Sequence, residues 1–506
     1  MIRVVTVPSG RDGEAATSQE HSTVAAVFSP GEGVDTAVPN WAWISLALRI
    51  LHGSDVFFAA AVPADTPTTS ATVARPTISF CMTPFCPSLS AMSDQTRAPV
   101  VDFDVFASNT LADNNAAWDA ARAQCPVGWT PHNGGHWVIS GYEAVAEAFR
   151  SWEIFSSART DPQYASITIS NSRIPPLIPE ELDPPEWQPI RRILAGQLSP
   201  GAAERLRPRA RHWARHCIDQ VVEAGRIELV TGLAFPVPAA VTLEWLGFPE
   251  SDWAAMAQAF HDPSAHSAGT PEHTRAFEAF GQVTTRVAEE VALRADAPRD
   301  DGLTAIVQSE IDGVQIPREL AQSLVFMTIG GGVDTTSALT AAALWHLHLH
   351  PADRARLLAD PELLDSATEE FLRFYPPART HARTVAQDVE FAGCPMKAGD
   401  RVLLSETAAG RDVAAFPDAD RFVIDRFPNR HLSFGAGIHR CPGSHLARLT
   451  FGEIMREVLA RIPDYRIVDD EVVEYPNWSM IGGWANLPAV FTPGPRLGPD
   501  TLGQGD

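Results

Sequence analysis

The sequence predicts a mainly α-helical protein with minor β-structure. From Met92 onward, most segments carry apolar residues at helical spacing. The longest of them, residues 318–351, is mostly apolar and ends before Pro351, as expected of a buried helix. Strand-like alternation is limited to short segments, one near His136 and one within residues 388–405.

Residues 1–95 differ from the rest of the chain. They are rich in Ala, Ser, Thr, Pro and Val and hold no sustained helical period. We expect an atypical N-terminal extension that is disordered, or a start-site artefact if translation begins at Met82 or Met92. Residues 96–495 would then form the main domain, and residues 496–506 a C-terminal tail.

The main helices can be placed by their ends. Residues 200–225 carry apolar residues at helical spacing and close on a glycine, whereas residues 361–377 stop at a double proline. Residues 444–462 form a further amphipathic helix. Within residues 388–405 a glycine and a proline interrupt the alternation, which predicts a small hairpin.

Charge and cysteine content exclude several classes of protein. Lys and Arg number 39 against 62 Asp and Glu, a net charge of −23, so nucleic-acid binding through a basic surface is not expected. The six cysteines are scattered over the chain and contain no paired zinc-type CxxC, so neither a disulfide framework nor a zinc site is predicted. We therefore expect a protein of the reducing cytoplasm.

The most apolar stretch of the N-terminal region is too short to cross a membrane. It begins at Trp41 and is interrupted by Arg49, His52 and Asp55. No cluster of Lys or Arg precedes it, so it does not have the form of a secretory signal. The sequence therefore predicts no membrane association.

The segment FGAGIHRCPG, residues 434–443, surrounds Cys441 with three glycines immediately before a predicted helix. A thiolate at a helix N-terminus is stabilised by the macrodipole, which predicts a lowered pKa. The glycines permit close approach of the backbone to a flat, bulky group. One soft thiolate without a second ligand at zinc spacing suits axial ligation of haem iron. The alternative is a buried structural cysteine.

The whole segment resembles the signature F-x-x-G-x-H-x-C-x-G of the cytochrome P-450 superfamily, the haem-thiolate monooxygenases. The residues that carry the resemblance are Phe434, Gly435, Gly437, His439, Cys441 and Gly443. It implies Cys441 as the axial ligand of haem b, and all of these residues except Gly437 as candidates for haem binding. The similarity covers roughly residues 95–495. It therefore implies one helical domain with small peripheral β-sheets, and not the roughly three domains that length alone suggests.

Glu370 and Arg373 in EEFLRF match the family's E-x-x-R pair. At i, i+3 they share one helical face, where a salt bridge can form. The resemblance implies a buried structural pair that anchors the chain near the cysteine segment. We therefore do not count these residues as catalytic.

The segment GGGVDTT, residues 330–336, lies in the middle of the long apolar helix. Each mid-helix glycine costs about 1 kcal/mol relative to alanine, and a charged Asp334 there is costly unless it is paired. The segment is either a loop between two helices or a place where one helix is opened. It resembles the family's oxygen-binding stretch, which implies Asp334 and Thr335 as the catalytic acid and alcohol that relay protons for dioxygen reduction.

Haem carries two propionates, which need cations in an otherwise acidic protein. By resemblance, Arg191 and Arg383 supply guanidinium groups to them, and His439 is a further contact. Trp187 stands where bacterial members more often have histidine, so this one hydrogen bond departs from the family pattern. The alternative for either arginine is an ordinary surface charge.

The resemblance implies a monooxygenase of the soluble bacterial type that hydroxylates an apolar small molecule with dioxygen. The predicted lining of its pocket is residues 166–182, part of 240–285, 327–331 and 477–487. These segments offer many apolar and few charged side chains, which favours a terpenoid, steroid or aromatic substrate. Arg173 is a candidate partner for a substrate carboxylate, although a surface position is the commoner role of an arginine.

Electrons must come from another protein, because no GxGxxG fingerprint and no flavin or iron-sulfur domain is present. The resemblance implies a separate ferredoxin and reductase, and a monomer. Candidates for the docking patch are Arg192, Arg440, Arg448 and the segment RLRPRARHWAR. The alternatives for function are a peroxide-driven peroxygenase and a non-catalytic haem-binding sensor.

Overall fold

The structure, a computed structural model, describes residues 3–6, 24–27, 99–169, 174–267 and 270–498. The chain forms two compact units, Met1–Arg75 and Pro76–Asp506. In the first unit, strand β1 (Arg3–Thr6) pairs antiparallel with β2 (Val24–Val27). Most of the predicted extension lies outside the described residues, as does Arg173, so the expectations for them stay predictions.

The second unit is built mainly from helices. Its α-helices among the described residues are α1 (Leu111–Gln124), α2 (Tyr142–Arg150), α3 (Trp187–Gln197), α4 (Pro200–Arg205), α5 (Arg207–Asp219), α6 (Pro236–Leu246), α7 (Glu250–Ala265), α8 (Pro271–Asp296), α9 (Gly302–Val307), α10 (Arg318–Leu349), α11 (Pro351–Ala359), α12 (Leu363–Phe374), α13 (Glu406–Gly410) and α14 (Ser444–Arg461). One π-helical turn, Val230–Ala234, precedes α6. The prediction of a mainly α-helical protein is confirmed.

The strands of this unit are short. They are β3 (Val127–Thr130), β4 (His136–Ile139), β5 (Phe155–Ser156), β6 (Arg226–Glu228), β7 (Glu310–Ile311), β8 (Val314–Gln315), β9 (Thr380–Val385), β10 (Val389–Phe391), β11 (Cys394–Met396), β12 (Arg401–Ser405), β13 (Arg466–Ile467), β14 (Val473–Glu474), β15 (Trp484–Asn486) and β16 (Pro488–Val490). The largest described sheet has the order β3-β4-β12-β9-β5, in which β12 runs parallel to β4 and antiparallel to β9. The predicted hairpin forms from β10 and β11.

Helix α10 places the functional site. Its first half, from Leu320 to Val333, packs into an apolar cluster with α6, α7, α8 and α9. Its second half, from Leu339 to Leu347, packs into another cluster with α5, α12 and α14. The predicted oxygen-binding stretch therefore lies where the helix passes from one half of the core to the other. No helix in the described part of the chain is sufficiently long and apolar to span a bilayer.

The prediction of one helix over residues 200–225 is wrong. Two helices, α4 and α5, meet at Leu206, and the second ends at Asp219. Pro208 lies in the first turn of α5, where a backbone N–H has no partner within the helix, so its missing N–H costs nothing. In the interior of one continuous helix, Pro208 would remove a backbone hydrogen bond. The prediction rested on the spacing of apolar residues and did not take Pro208 into account.

Candidate active site

A large cavity of about 1140 Å³ lies against the middle of α10. Side chains from α3, α6, α7 and α8 contribute to its wall, as does the segment around Cys441. Among the residues predicted from sequence, its lining includes Trp187, Arg191, Asp334, Thr335, Arg383, Phe434, Gly435, His439, Cys441 and Gly443. Segments scattered over some 250 positions of the sequence are thus brought to one cavity.

The cysteine segment is a tight turn that precedes α14. The backbone N–H of Cys441 donates to the carbonyl of Phe434 across the turn at 2.8 Å. Gly435 and Gly437 have φ values of +63° and +69°, a region that favours glycine. A side chain at Gly437 would also meet the carbonyl oxygen of Phe149 at 2.5 Å. These two glycines therefore permit the backbone turn that places Cys441 on the cavity wall.

The predicted pair Glu370 and Arg373 forms on α12, with no exposed side-chain surface and an N–O distance of 2.7 Å. Arg373 also donates to the carbonyls of Gly410 and Ala419, at 2.6 and 2.8 Å. Neither member of the pair lines the cavity. The pair ties α12 to the chain that leads into the cysteine segment, as expected of a structural role.

Residues 330–336 are helical throughout, so the alternative of a loop is wrong. The glycines serve close packing: a side chain at Gly330 would meet the ring of Phe260 at 2.8 Å, and one at Gly332 would meet Thr242 Oγ1 at 2.7 Å. The α-helix runs through this stretch without a break, so the predicted opening of the helix is not observed. Thr335 Oγ1 donates to the carbonyl of Gly331 at 3.0 Å.

Several polar groups gather on the cavity wall near Cys441. Arg191 donates to the carbonyl of Arg440, and His439 Nε2 lies 2.9 Å from Ser157 Oγ. Burial lowers the pKa of both Arg383 and His439. The indole Nε1 of Trp187 is buried and has no hydrogen-bond partner among the described residues.

Comparison with known proteins assigns the chain to a family. Over 415 residues it is 33% identical to the Steroid C26-monooxygenase of Mycobacterium tuberculosis, an alignment that spans 80% of this chain and all of that protein. The chain belongs to the cytochrome P450 family. The family model described as Cytochrome P450 matches residues 251–462.

Two further comparisons agree with this assignment. The Mycinamicin IV hydroxylase/epoxidase of Micromonospora griseorubida is 30% identical over 380 residues, covering 71% of this chain and 91% of that protein. The structure of a Mycobacterium marinum cytochrome P450, CYP268A2, in complex with pseudoionone matches with a TM-score of 0.70 and 25% identity. That match covers 78% of this chain and all of the other. The chain is therefore a P450 monooxygenase, an oxidoreductase with the mainly helical P450 fold.

The cofactor that the P450 family implies is a haem-thiolate, and the residues of this cavity fit it. Haem has two carboxylates and a metal that takes a soft ligand. The cavity wall supplies Cys441 together with the guanidinium groups of Arg191 and Arg383. The indole N–H of Trp187 is a buried donor that meets no acceptor in the described part of the chain, and a propionate carboxylate would satisfy it.

The expected lowering of the Cys441 pKa is not observed. Burial raises the pKa of this thiol, and the N–H of Gly443 and the charge of Arg191 only partly offset that effect. Helix α14 begins three residues later, at Ser444, so its terminus is one contribution among several. For the protein alone, desolvation outweighs the stabilisation that the sequence predicts.

Sequence reasoning missed a group of ionisable residues on the same wall. His381 Nδ1 forms an ion pair with Glu406, and its Nε2 lies 3.4 Å from Glu180 Oε1. Burial alone would lower the pKa of His381, but the two carboxylates raise it to about 10. His381 precedes Arg383 by two positions on β9, so strand alternation places both on one face and was the available signal.

Proposed function

We propose that this P450 is a haem b monooxygenase that inserts one oxygen atom of dioxygen into an apolar small molecule. The observation that carries the proposal is the cavity that Cys441, Asp334 and Thr335 share with the half-buried Arg191 and the buried Arg383. Bound haem supplies the redox chemistry that activates dioxygen. The remaining steps, which are binding, orientation and proton delivery, fall to residues of the chain.

The proposed roles follow from the position of each group. Cys441 would supply the thiolate that holds the haem iron, and the turn of Phe434, Gly435 and Gly443 would form the backbone cradle beside it. The propionates would be held by donors on the cavity wall near Cys441, namely Trp187, Arg191, Arg383 and His439. Asp334 and Thr335 lie on α10 at the cavity wall, where they would deliver protons to the reaction.

The substrate is proposed to be apolar and of medium size. Four phenylalanines from α7, α8 and α10 form a connected aromatic wall, with ring centroids 5.1–5.9 Å apart: Phe260, Phe277, Phe280 and Phe326. Methionines and aliphatic side chains of the predicted lining segments extend this surface. A steroid or a terpenoid suits such a wall, and the relatives compared above are named for a steroid and for a complex with pseudoionone.

The proposed electron donor is a ferredoxin that docks beside the cysteine segment. Of the basic candidates, Arg207 and Arg211 both pair with Glu453, and Arg448 pairs with Glu369. Their charge is largely neutralised within the protein. The proposal therefore rests on the exposed Arg192 and Arg440. The cytoplasmic location and the monomeric state remain predictions.

The acid and alcohol on α10 favour an oxygen-dependent enzyme over the peroxygenase and sensor alternatives, which need no proton relay. The deciding experiment is the absorption spectrum of the purified protein, reduced and exposed to carbon monoxide. A strongly red-shifted Soret band supports thiolate ligation by Cys441, and Cys441→His should abolish it. A band typical of histidine ligation, or haem-free protein with native circular dichroism, would overturn the proposal.

A further inference from the structure

Asp334 carries a buried oxygen that no group in the described protein satisfies. Its side chain is only 10% exposed, and Oδ1 has no hydrogen-bond partner. Buried polar atoms are normally paired, and an exception in a native structure calls for an explanation. Asp334 lines the cavity and is the proposed catalytic acid, so the unsatisfied oxygen belongs to the proposed active site.

His261, on α7, faces this oxygen. Its Nδ1 lies 3.9 Å from Asp334 Oδ1, just beyond a direct hydrogen bond, and 3.0 Å from the hydroxyl of Tyr475. Burial, together with the charges of Asp334 and Asp262, raises the pKa of Tyr475 well above its usual value. The Tyr475 hydroxyl therefore keeps its proton, and its contact with Nδ1 fixes the orientation of the imidazole ring.

The imidazole is held in place by aromatic neighbours. Its ring centroid lies 4.9 Å from that of Phe235 and 5.7 Å from that of Tyr475. The Tyr475 ring is packed in turn against Gly483, where a side chain would approach within 2.7 Å. His261 and Tyr475 do not line the cavity, so the pair lies behind Asp334 as seen from the substrate.

We propose that His261, oriented by Tyr475, is a positioning residue that resupplies Asp334 with protons during turnover. The inference rests on the proposed function. Each time Asp334 releases a proton to the cavity, its Oδ1 takes one from Nδ1 of the His261 imidazolium, and the imidazole recovers one from solvent. One proton moves and no electron is transferred. The ionisable groups that face the pair are Asp334 on α10 and Asp262 beside His261 on α7.

The first test measures the contact without turnover. Ring-nitrogen NMR of histidine-labelled protein in its diamagnetic carbon monoxide form identifies the His261 signal as the one lost in His261→Gln. We expect Asp334→Asn and Tyr475→Phe to shift this signal. The matched control, Tyr465→Phe, removes another buried tyrosine hydroxyl, which donates to the Leu344 carbonyl, and should leave the signal in place. A signal indifferent to Asp334→Asn and Tyr475→Phe would overturn the contact.

The second test measures proton supply. His261→Phe keeps a ring in the packing, and His261→Gln keeps an N–H donor that cannot carry an extra proton. We expect both to divert electrons to peroxide, to raise the solvent isotope effect and to slow product formation about tenfold. The spectrally determined substrate affinity should stay unchanged, because His261 does not touch the cavity.

The outcomes separate this inference from the proposed function. A wild-type protein that makes no oxygenated product overturns the proposed function, whatever the NMR result. Wild-type turnover with an unchanged peroxide share and isotope effect in both His261 variants overturns the inference alone. If the His261 variants do not fold, Tyr475→Phe provides the same test, and an unaltered isotope effect in that variant counts against the relay.

Discussion

Arg373 Nη2 lies 2.7 Å from Glu370 Oε1, and neither side chain retains exposed surface. Glu370 also accepts the backbone N–H of Val423 at 2.7 Å and pairs with Arg426, so its charge is fully engaged. Truncating one member of a buried ion pair leaves the other charge uncompensated. Since neither residue lines the cavity, we expect the pair to stabilise the fold and to take no direct part in binding or catalysis.

We expect Arg373→Ala to destabilise the protein by about 3–5 kcal/mol and to lower its haem content in proportion to the loss of folded protein. Thermal unfolding followed by circular dichroism measures the effect. The control is Arg356→Ala, because that residue pairs with Asp425 at the surface with about half of each side chain exposed. Equal melting temperatures for the two variants would contradict the structural role.

Trp187→Phe tests the buried donor near the predicted propionate site. Losing one hydrogen bond should speed haem transfer to apomyoglobin about fivefold to tenfold, whereas Trp187→His should keep the wild-type rate. Trp137→Phe is the matched control, since it removes an indole bond to Asp400 at 2.8 Å away from the cavity. Similar transfer rates for Trp187→Phe and wild type would place the indole outside haem binding.

The sequence predicts those parts of the site whose residues lie close together along the chain. The turn around Cys441 and the pair on α12 are local patterns, so spacing alone predicts them. Glu406 meets His381 only because α13 follows β12, which pairs with β9, and no local pattern records that contact. The glycines of α10 show another limit: their cost in a helix is visible in sequence, but the neighbours Phe260 and Thr242 that require them are not.

The His381 cluster predicts a dependence of stability on pH. The pKa of His381 is about 10 in the folded protein against an ordinary value of 6.5. A raised pKa contributes stability that is fully present below pH 6.5 and is lost as the pH rises toward 10. Wild-type protein should therefore lose stability over that window, and His381→Gln should show a flatter profile. Melting temperatures measured across the window, with the exposed His132→Gln as control, decide the matter. If the melting temperatures of all three proteins change with pH in parallel, the pH dependence comes from groups other than His381.

Thr335→Ala should keep haem and substrate binding but divert electrons from product to peroxide, because the variant lacks the hydroxyl on the cavity wall. The measurement is the ratio of product to peroxide per reducing equivalent. Thr340→Ala is a close control: its hydroxyl donates to the carbonyl four residues earlier on α10, as that of Thr335 does, but it does not line the cavity. Full coupling in Thr335→Ala would remove this residue from the proton relay.

The docking proposal predicts that a double reversal, Arg192→Glu with Arg440→Glu, weakens ferredoxin binding about tenfold at low salt and much less at high salt. Both side chains are exposed, and Arg440 immediately precedes Cys441 in the chain. Arg318→Glu is the control, since this exposed arginine begins α10, 16 residues before Asp334, or about 24 Å along the helix. Titration of the ferric spectrum with ferredoxin at two ionic strengths gives both affinities. If the double variant and the control lose ferredoxin affinity equally, the effect comes from net charge in general. The proposed docking site at Arg192 and Arg440 would then be wrong.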